Sequence, residues 1–478
     1  MAAVRSSRSA TAARAPDIDA PGTSGGAFPP PILEDPNRAL PRAILHGFYG
    51  ALWWLAIVLG SPWWGWRSLT DKTFRRMALA RLGWGLARRS PGAAPRILIH
   101  GVSVGEVKAA QSLVEAIGKG TRAYDVVIST TTDTGFEVAR ELFADHEVVR
   151  FPVDPGWIVT RFLRRIDPVC VVLVELEIWP NFLRAANIAG IPVAVVNGRI
   201  TATSYSSYRL FRNLLPQFNR ISLFCVQGEE YARRFAALGC DPGRILVTGN
   251  VKADSLGDGP VGPGEELLRL LGGAPGQVIL TAGSTHPEEE LLVVKAWRDH
   301  APETRLVLVP RHPRRAVEIV AALAELGLEA QRLSELRAGE APDPERPALV
   351  DTIGELERVY GLSDVVFIGG SLVPHGGQNM LEPASQGRAV VYGPHVQNFQ
   401  LEASLLEARG AAIRLPDGEQ LGPQLGALAR DPCLRRRMGE AGLAAVGEQK
   451  GATARTLSAL EERCLTNVSG VSREQDSR

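Results

Sequence analysis

From residue 96 onward the chain alternates short apolar runs with longer helix-like stretches. The runs 97–99, 126–128, 169–174, 193–196 and 223–226 come first, each apolar at consecutive positions rather than at every second one. A strand reads that way when both of its faces are buried, so the order predicts a parallel sheet covered by helices on both sides. A second series follows at 278–280, 306–309, 348–350, 365–368 and 390–392. Gly and Pro cluster between the two series, over residues 251–272. The pattern predicts an α/β protein of two doubly wound, Rossmann-like domains, 91–252 and 253–464, facing each other across a cleft.

The first 90 residues follow other patterns. Residues 1–40 are rich in Ala, Ser, Pro and Gly, lack hydrophobic periodicity and are expected to be a disordered tail, as is the short segment 465–478. Residues 43–66 carry no charged side chain if His46 is neutral, and hold five of the nine tryptophans. Arg67, Lys72, Arg75, Arg76 and Arg81 follow. The apolar length suffices to cross a hydrocarbon core at ~1.5 Å per residue. Gly47, Gly50, Gly60 and Pro62 interrupt it, and tryptophan prefers the headgroup level. Residues 41–90 are therefore expected to form a membrane anchor with a basic flank, embedded or interfacial in preference to a single span or a buried core helix. The flank points to a catalytic body on the cytoplasmic face.

Composition narrows the classes further. A net charge of +1 gives no overall electrostatic reason to expect nucleic acid. Cys170, Cys225, Cys240, Cys433 and Cys464 are scattered, without a CxxC pair, and read as reduced thiols rather than a disulfide framework or a zinc site. No Walker A loop occurs, and no strand is followed by GxGxxG with a downstream acid.

Candidate chemistry sits where the apolar runs end. The run 365–368 stops at Gly369-Gly370-Ser371, and a second pair, Gly376-Gly377, precedes Gln378-Asn379-Met380-Leu381-Glu382-Pro383. Such glycines either let backbone N–H groups and a helix N-terminus approach a phosphate or merely make tight turns. Glu382, in the first turn after the pair, suits ribose hydroxyls better than a phosphate. In the first half, the run 97–99 leads into His100-Gly101-Val102-Ser103-Val104-Gly105-Glu106. Glu106 is placed to take a proton from a hydroxyl, or else only to complement a helix dipole. Glu175-Leu176-Glu177-Ile178-Trp179-Pro180-Asn181 closes the run 169–174 and brings further acids to the same sheet edge. Pro310-Arg311-His312-Pro313 follows the run 306–309: Arg311 is a candidate for phosphate charge, and His312 either touches phosphate or orients the loop. His286, after Ser284-Thr285, is read as a bystander beside a helix cap or as part of the site.

The ordered segments HGVSVGE, TTTDTG, ELEIWPN, VNGRI, TGNVKAD, STHPEEE, PRHPRR, DTIGEL, GGSLVPHGGQNMLEP and YGPHVQNF resemble those of the bacterial, lipid A-specific 3-deoxy-D-manno-octulosonic acid (Kdo) transferases, over about 45–465. The resemblance implies a membrane-associated GT-B glycosyltransferase that moves Kdo from CMP-Kdo onto a lipid A precursor. Its partners would be that donor, that acceptor and inner-membrane lipids, without a metal. It implies an acceptor domain at 91–252 and a CMP-sugar domain at 253–464. Glu106 matches the family's proton acceptor, and Glu175 and Lys252 its transition-state stabilisers. The family's CMP contacts fall on Pro310 and Arg311, on Ile353, Gly354 and Glu355, and on Asn379, Met380, Leu381 and Glu382. Arg314 and Leu176 depart from the usual acid and Thr, and the leading tail is long. Another nucleotide-sugar enzyme on the same scaffold, a hexosaminyltransferase or an epimerase, is the alternative.

Overall fold

The computed structural model describes residues 39–86, 92–120, 122–211, 217–254, 256 and 264–465. The expected tails thus lie almost wholly outside the described residues. Two seven-stranded sheets, parallel throughout, form the body. The first holds β1 (Arg96–His100), β2 (Asp125–Thr130), β3 (Glu147–Arg150), β4 (Pro168–Val174), β5 (Val193–Gly198), β6 (Leu223–Val226) and β7 (Ile245–Val247), in the order β3-β2-β1-β4-β5-β6-β7. The second holds β8 (Ile279–Thr285), β9 (Arg305–Pro310), β10 (Gln331–Arg332), β11 (Ala348–Leu349), β12 (Val365–Ile368), β13 (Ala389–Tyr392) and β14 (Ala412–Arg414), in the order β10-β11-β9-β8-β12-β13-β14.

Continuous apolar runs follow from burial on both faces. Leu98, Val127, Val171 and Leu173 enter one layer of the first domain, while Ile97, Ile99, Ile128 and Val172 enter the layer behind the sheet. In β12, Val365 and Phe367 face one core and Val366 and Ile368 the other. Each such side chain contributes roughly 1.5–3 kcal/mol when removed from water, which makes the central strands a rigid mount for the loops at their ends.

Strand order reverses between β1 and β4 in the first sheet and between β8 and β12 in the second. The loops leaving the two strands of such a pair diverge to opposite faces, and the crevice between them is where ligands bind in open α/β sheets. Every motif assigned above to chemistry leaves a strand at this carboxyl edge or lies beside it.

The last helix corrects the expected division of the chain. Ala452–Arg463 was placed with the second domain, but it buries Ala452, Ala459 and Leu460 in the first domain's core, against the helix Val104–Gly118. Asp254 accepts hydrogen bonds from Gly451 N at 2.7 Å and Thr453 N at 2.5 Å, so the two crossings between the domains are tied together.

At the N-terminal end, the helix Ala39–Thr70 contains Pro62 and leaves Phe48, Trp54, Leu55, Leu59, Trp66 and Leu69 exposed. Among the described residues no helix is long and apolar enough to cross a membrane. The helix Lys72–Arg81 follows, capped by Asp71 through Thr73 N and Phe74 N. Arg81 O accepts from Val153 N, which sets this helix beside the end of β3.

Candidate active site

Glu106 occupies the first turn of the helix Val104–Gly118, beside the end of β1. Val102 N–H donates to its Oε2 at 2.5 Å and Ser103 Oγ to its Oε1 at 3.2 Å. Thr130 and Thr132 in turn hold the Val102 carbonyl, so the carboxylate sits on a fixed loop. Burial raises its pKa, and the charge of Glu175 adds to that; the two donors pull the other way without prevailing. The helix N-terminus thus does not keep this group in the ordinary carboxylate range.

Glu175 closes β4 with φ 64°, a left-handed conformation that a non-glycine residue holds only when its surroundings force it. Lys252 Nζ donates to its Oε1 and Arg199 Nε to its Oε2, each at 2.9 Å. Burial alone would raise the Glu175 carboxyl, but the two cations hold it below its usual value. Lys252 lies in the short turn Val251–Ala253, capped by Asn250, and Val251 N is held by the side chain of Asn197. Within the segment VNGRI nothing in the sequence singles out Arg199. The structure makes Arg199 a bridge, because its Nη1 also reaches Asn398 O of the second domain at 3.3 Å.

Glu177 is the other group left unassigned. Its Oε2 accepts from Trp179 Nε1 at 3.0 Å, and burial followed by the charge of Glu106 pushes its pKa up to about 7. Behind it, Asp154 accepts from Asn181 N and Phe182 N, fixing the helix Pro180–Ile188, and from Tyr49 of the N-terminal helix at 2.9 Å. That exposed helix is therefore tied, through Asp154, to the start of the helix that follows Glu175 and Glu177.

The second sheet supplies the facing edge. Arg311 follows β9 directly, its backbone N–H bonded to Thr285 O and its side chain exposed. Ile353 and Gly354 are exposed, whereas the Glu355 carboxylate is buried and already paired with Arg337 at 2.6 Å and Arg358 at 3.0 Å. Asn379 precedes the five-residue helix Leu381–Ser385, accepts from Leu381 N at 3.1 Å and donates to Glu382 Oε1 at 3.0 Å. Met380 and Leu381 are core residues, so only their backbone faces a ligand. Burial raises the Glu382 carboxyl, whose charge is felt by Arg311 and, across the cleft, by Lys108. Of the anticipated contacts, Pro310, Arg311, Asn379 and Glu382 gather at one edge, while Ile353 to Glu355 lie on the neighbouring loop.

Of the two readings of the glycines, the first pair takes the turn. Gly370 N, Ser371 N and Leu372 N all donate to the carboxylate of Glu289, at 2.6, 3.0 and 3.0 Å, and His286 N makes a fourth such bond at 2.9 Å. Gly369 leaves no room for a Cβ, which would lie 2.3 Å from Ser284 O. The first pair therefore joins two strand ends, and those N–H groups are engaged by a buried acid instead of a phosphate. Nothing in the spacing of STHPEEE distinguishes Glu289 from the exposed Glu288 or from Glu290, which is buried against Arg315. Glu289→Ala is expected to lower the unfolding free energy by roughly 3–5 kcal/mol, because several buried donors lose their acceptor at once. A denaturant midpoint within error of the unaltered chain would contradict this.

Among the described residues no group of three or more His, Cys, Asp and Glu side chains is placed to hold a metal ion. The described cysteines are all free, and only Cys433 is exposed.

Comparison with known proteins follows the same lines. Residues 75–255 match the family model described as 3-deoxy-D-manno-octulosonic-acid transferase. A 3-deoxy-D-manno-octulosonic acid transferase of Bordetella pertussis is 34% identical over 422 residues, 84% of this chain and 95% of the relative. One from Haemophilus influenzae is 32% identical, over 78% of this chain and 88% of that protein. Among solved structures, the UDP-GlcNAc 2-epimerase from Neisseria meningitidis, bound to UDP-GlcNAc, superposes with a TM-score of 0.54 at 14% identity, over 77% of this chain and all of the other. That likeness concerns the fold alone: two parallel-sheet α/β domains of the kind seen in GT-B glycosyltransferases. With relatives this similar along nearly their whole length, the chain belongs to the 3-deoxy-D-manno-octulosonic acid transferase family.

Proposed function

We propose that this protein transfers Kdo from CMP-Kdo to a lipid A precursor of the lipid IVA type, with inversion, in lipopolysaccharide core biosynthesis at the cytoplasmic face of the inner membrane. The observation that carries the reading is that the two switch-point edges meet, Arg199 reaching Asn398 and Lys108 acting on Glu382, with buried acids on one edge and the exposed Arg311 on the other. Glu106 takes the proton of the acceptor hydroxyl, while the donor's phosphate leaves from the opposite domain, which is the geometry of a direct displacement. Lys252, set by Glu175 and accompanied by Arg199, stabilises charge in the transition state. Arg311 offers its guanidinium to the phosphate, the backbone of Ile353 to Glu355 and of Met380 to Leu381 borders the nucleotide, and the free oxygen of Glu382 accepts from ribose. No step in this scheme requires a metal.

The test pairs binding with transfer. CMP, and not UDP, is expected to raise the melting temperature, and purified protein with CMP-Kdo and a tetra-acylated lipid A precursor yields product heavier by Kdo. Stabilisation by UDP alone would favour the epimerase-like alternative and overturn the proposal.

Attachment to the membrane belongs to the same proposal. The N-terminal helix presents Trp54, Leu55 and Leu59 to the exterior, and Arg67 lies 5.5 Å from the Trp63 ring, an arrangement suited to a headgroup layer. Replacing Trp54, Leu55 and Leu59 together by Gln is expected to weaken partitioning onto anionic phospholipid vesicles by roughly 10²-fold or more, given the burial lost per side chain. An unchanged pelleted fraction after a high-salt wash would remove this face as the attachment.

A further inference from the structure

The crevice between β8 and β12, where the second sheet reverses, is lined by two imidazoles. His286 leaves β8, His375 lies in the loop after β12, and their rings stack with centroids 4.3 Å apart and planes 24° from parallel. Gly370, at φ 68°, makes room for the pair, since a Cβ there would lie 3.2 Å from the His286 ring. Gln378, from the GGQN turn, sets its side-chain Nε2 at 3.1 Å from His286 Nε2. An amide that donates there requires that ring nitrogen to be unprotonated. The groups facing His286 are otherwise basic: the guanidiniums of Arg311 and Arg315 and the imidazole of His312 from the loop after β9, and the imidazole of His375. The nearby carboxylates do not offset them. Glu289 is engaged by four backbone N–H groups, and Glu290 is paired with Arg315 at 2.8 Å.

We propose that the His286–His375 stack is an oxyanion subsite that takes up a proton from solvent as the anion arrives. The proposal rests on the reading that this edge holds the donor, and deepens it: the anion is the nucleotide monophosphate or the carboxylate of the sugar acid. Burial, followed by the charges of His375, His312 and Arg311, pushes His286 down to about 4, so the empty site is neutral there at physiological pH. An oxyanion against the stack reverses the balance. It favours imidazolium, and rotation of the Gln378 amide then presents Oε1 to the new N–H. A neutral stack also spares the empty site a third and fourth positive charge beside Arg311 and Arg315.

The experiment is calorimetric titration of the full-length protein in two buffers of different ionisation enthalpy, at about pH 7.5, where the phosphate of CMP is already mostly dianionic. CMP is expected to bind with uptake of on the order of one proton and to lose about tenfold in affinity per pH unit above neutrality. Cytidine, which lacks the phosphate, is expected to show no buffer-dependent heat. Uptake with free Kdo and none with CMP would assign the subsite to the carboxylate. His286→Asn and His375→Gln are expected to abolish most of the uptake and flatten the pH dependence while CMP still binds. CMP and Kdo binding whose heat is independent of buffer overturns the subsite and leaves the donor reading intact. No binding of CMP or Kdo at all overturns both.

Discussion

Glu106→Gln is expected to lower turnover by about 10²–10⁴-fold while CMP affinity stays within a few-fold. Glutamine keeps the size of the side chain, an oxygen that accepts from Val102 N, and an amide N–H that Ser103 Oγ can accept in place of donating. Only the basicity goes. Because burial raises the Glu106 pKa, this group is a stronger base than an exposed carboxylate, and activity should be lost on the acid side at a higher pH than an ordinary Glu would give. Glu177 adds to the effect: burial and then repulsion from Glu106 push its pKa up to about 7, so it is partly protonated at neutral pH and its charge beside Glu106 grows only as pH rises. The sign for stability runs opposite to that for activity. A folded pKa above the unfolded one means that ionisation costs the folded state, a loss complete once pH exceeds the folded pKa. Glu106→Gln removes that cost, so its melting temperature above neutral pH should equal or exceed that of the unaltered chain. A variant that retained turnover within a few-fold would transfer the base to another group, with Glu177 the nearest candidate.

Central and edge strands differ in how plainly the sequence announces them. β1, β2, β4, β5 and β6, and β8, β9, β11, β12 and β13, are buried on both faces or nearly so and stand out as apolar runs. The four strands absent from the sequence pattern, β3, β7, β10 and β14, are the outer strands of the two sheets. They are two to four residues long and partly exposed; Glu147, Arg332 and Arg414 break the apolar signal in three of them, while β7 is apolar throughout, Ile245-Leu246-Val247, yet only three residues long and not buried. The return of the last helix to the first domain is equally silent, because its buried Ala and Leu positions suit either core. At the site, what is legible is what leaves a strand end within one motif, as Glu106 and Glu175 do. The Glu175, Lys252 and Arg199 cluster joins residues far apart in the chain, and only the parallel register of β4 and β5 with the turn after β7 brings them together. Glu289 shows the converse: a run of three acids reads as a solvated first turn, yet Glu289 and Glu290 are both buried, and Glu289 organises the loop after β12.

Lys252→Met is expected to lower turnover by about 10²–10³-fold, the loss typical of removing one preorganised donor from a transition state. Its ammonium is fixed in advance, since Glu175 accepts it at 2.9 Å and is itself held at a backbone angle of φ 64°. A cation so placed needs little reorganisation when negative charge develops on the departing phosphate, and that is why the loss should fall on kcat with donor affinity changed only slightly. Arg199 remains on the other carboxylate oxygen and still opposes the effect of burial on Glu175, so the loop stays in place. Stability reports the same pair with a different sign from Glu106. Lys252 and Arg199 depress the Glu175 pKa, and a depressed folded pKa contributes stability above the unfolded value that is lost as pH falls through the folded one. Without Lys252 that folded pKa rises, the contribution shrinks, and acid unfolding begins at higher pH. A Lys252→Met protein with kcat within a few-fold of normal, yet with its acid unfolding displaced in this way, would reduce the ion pair to a structural tie between the turn after β7 and the end of β4.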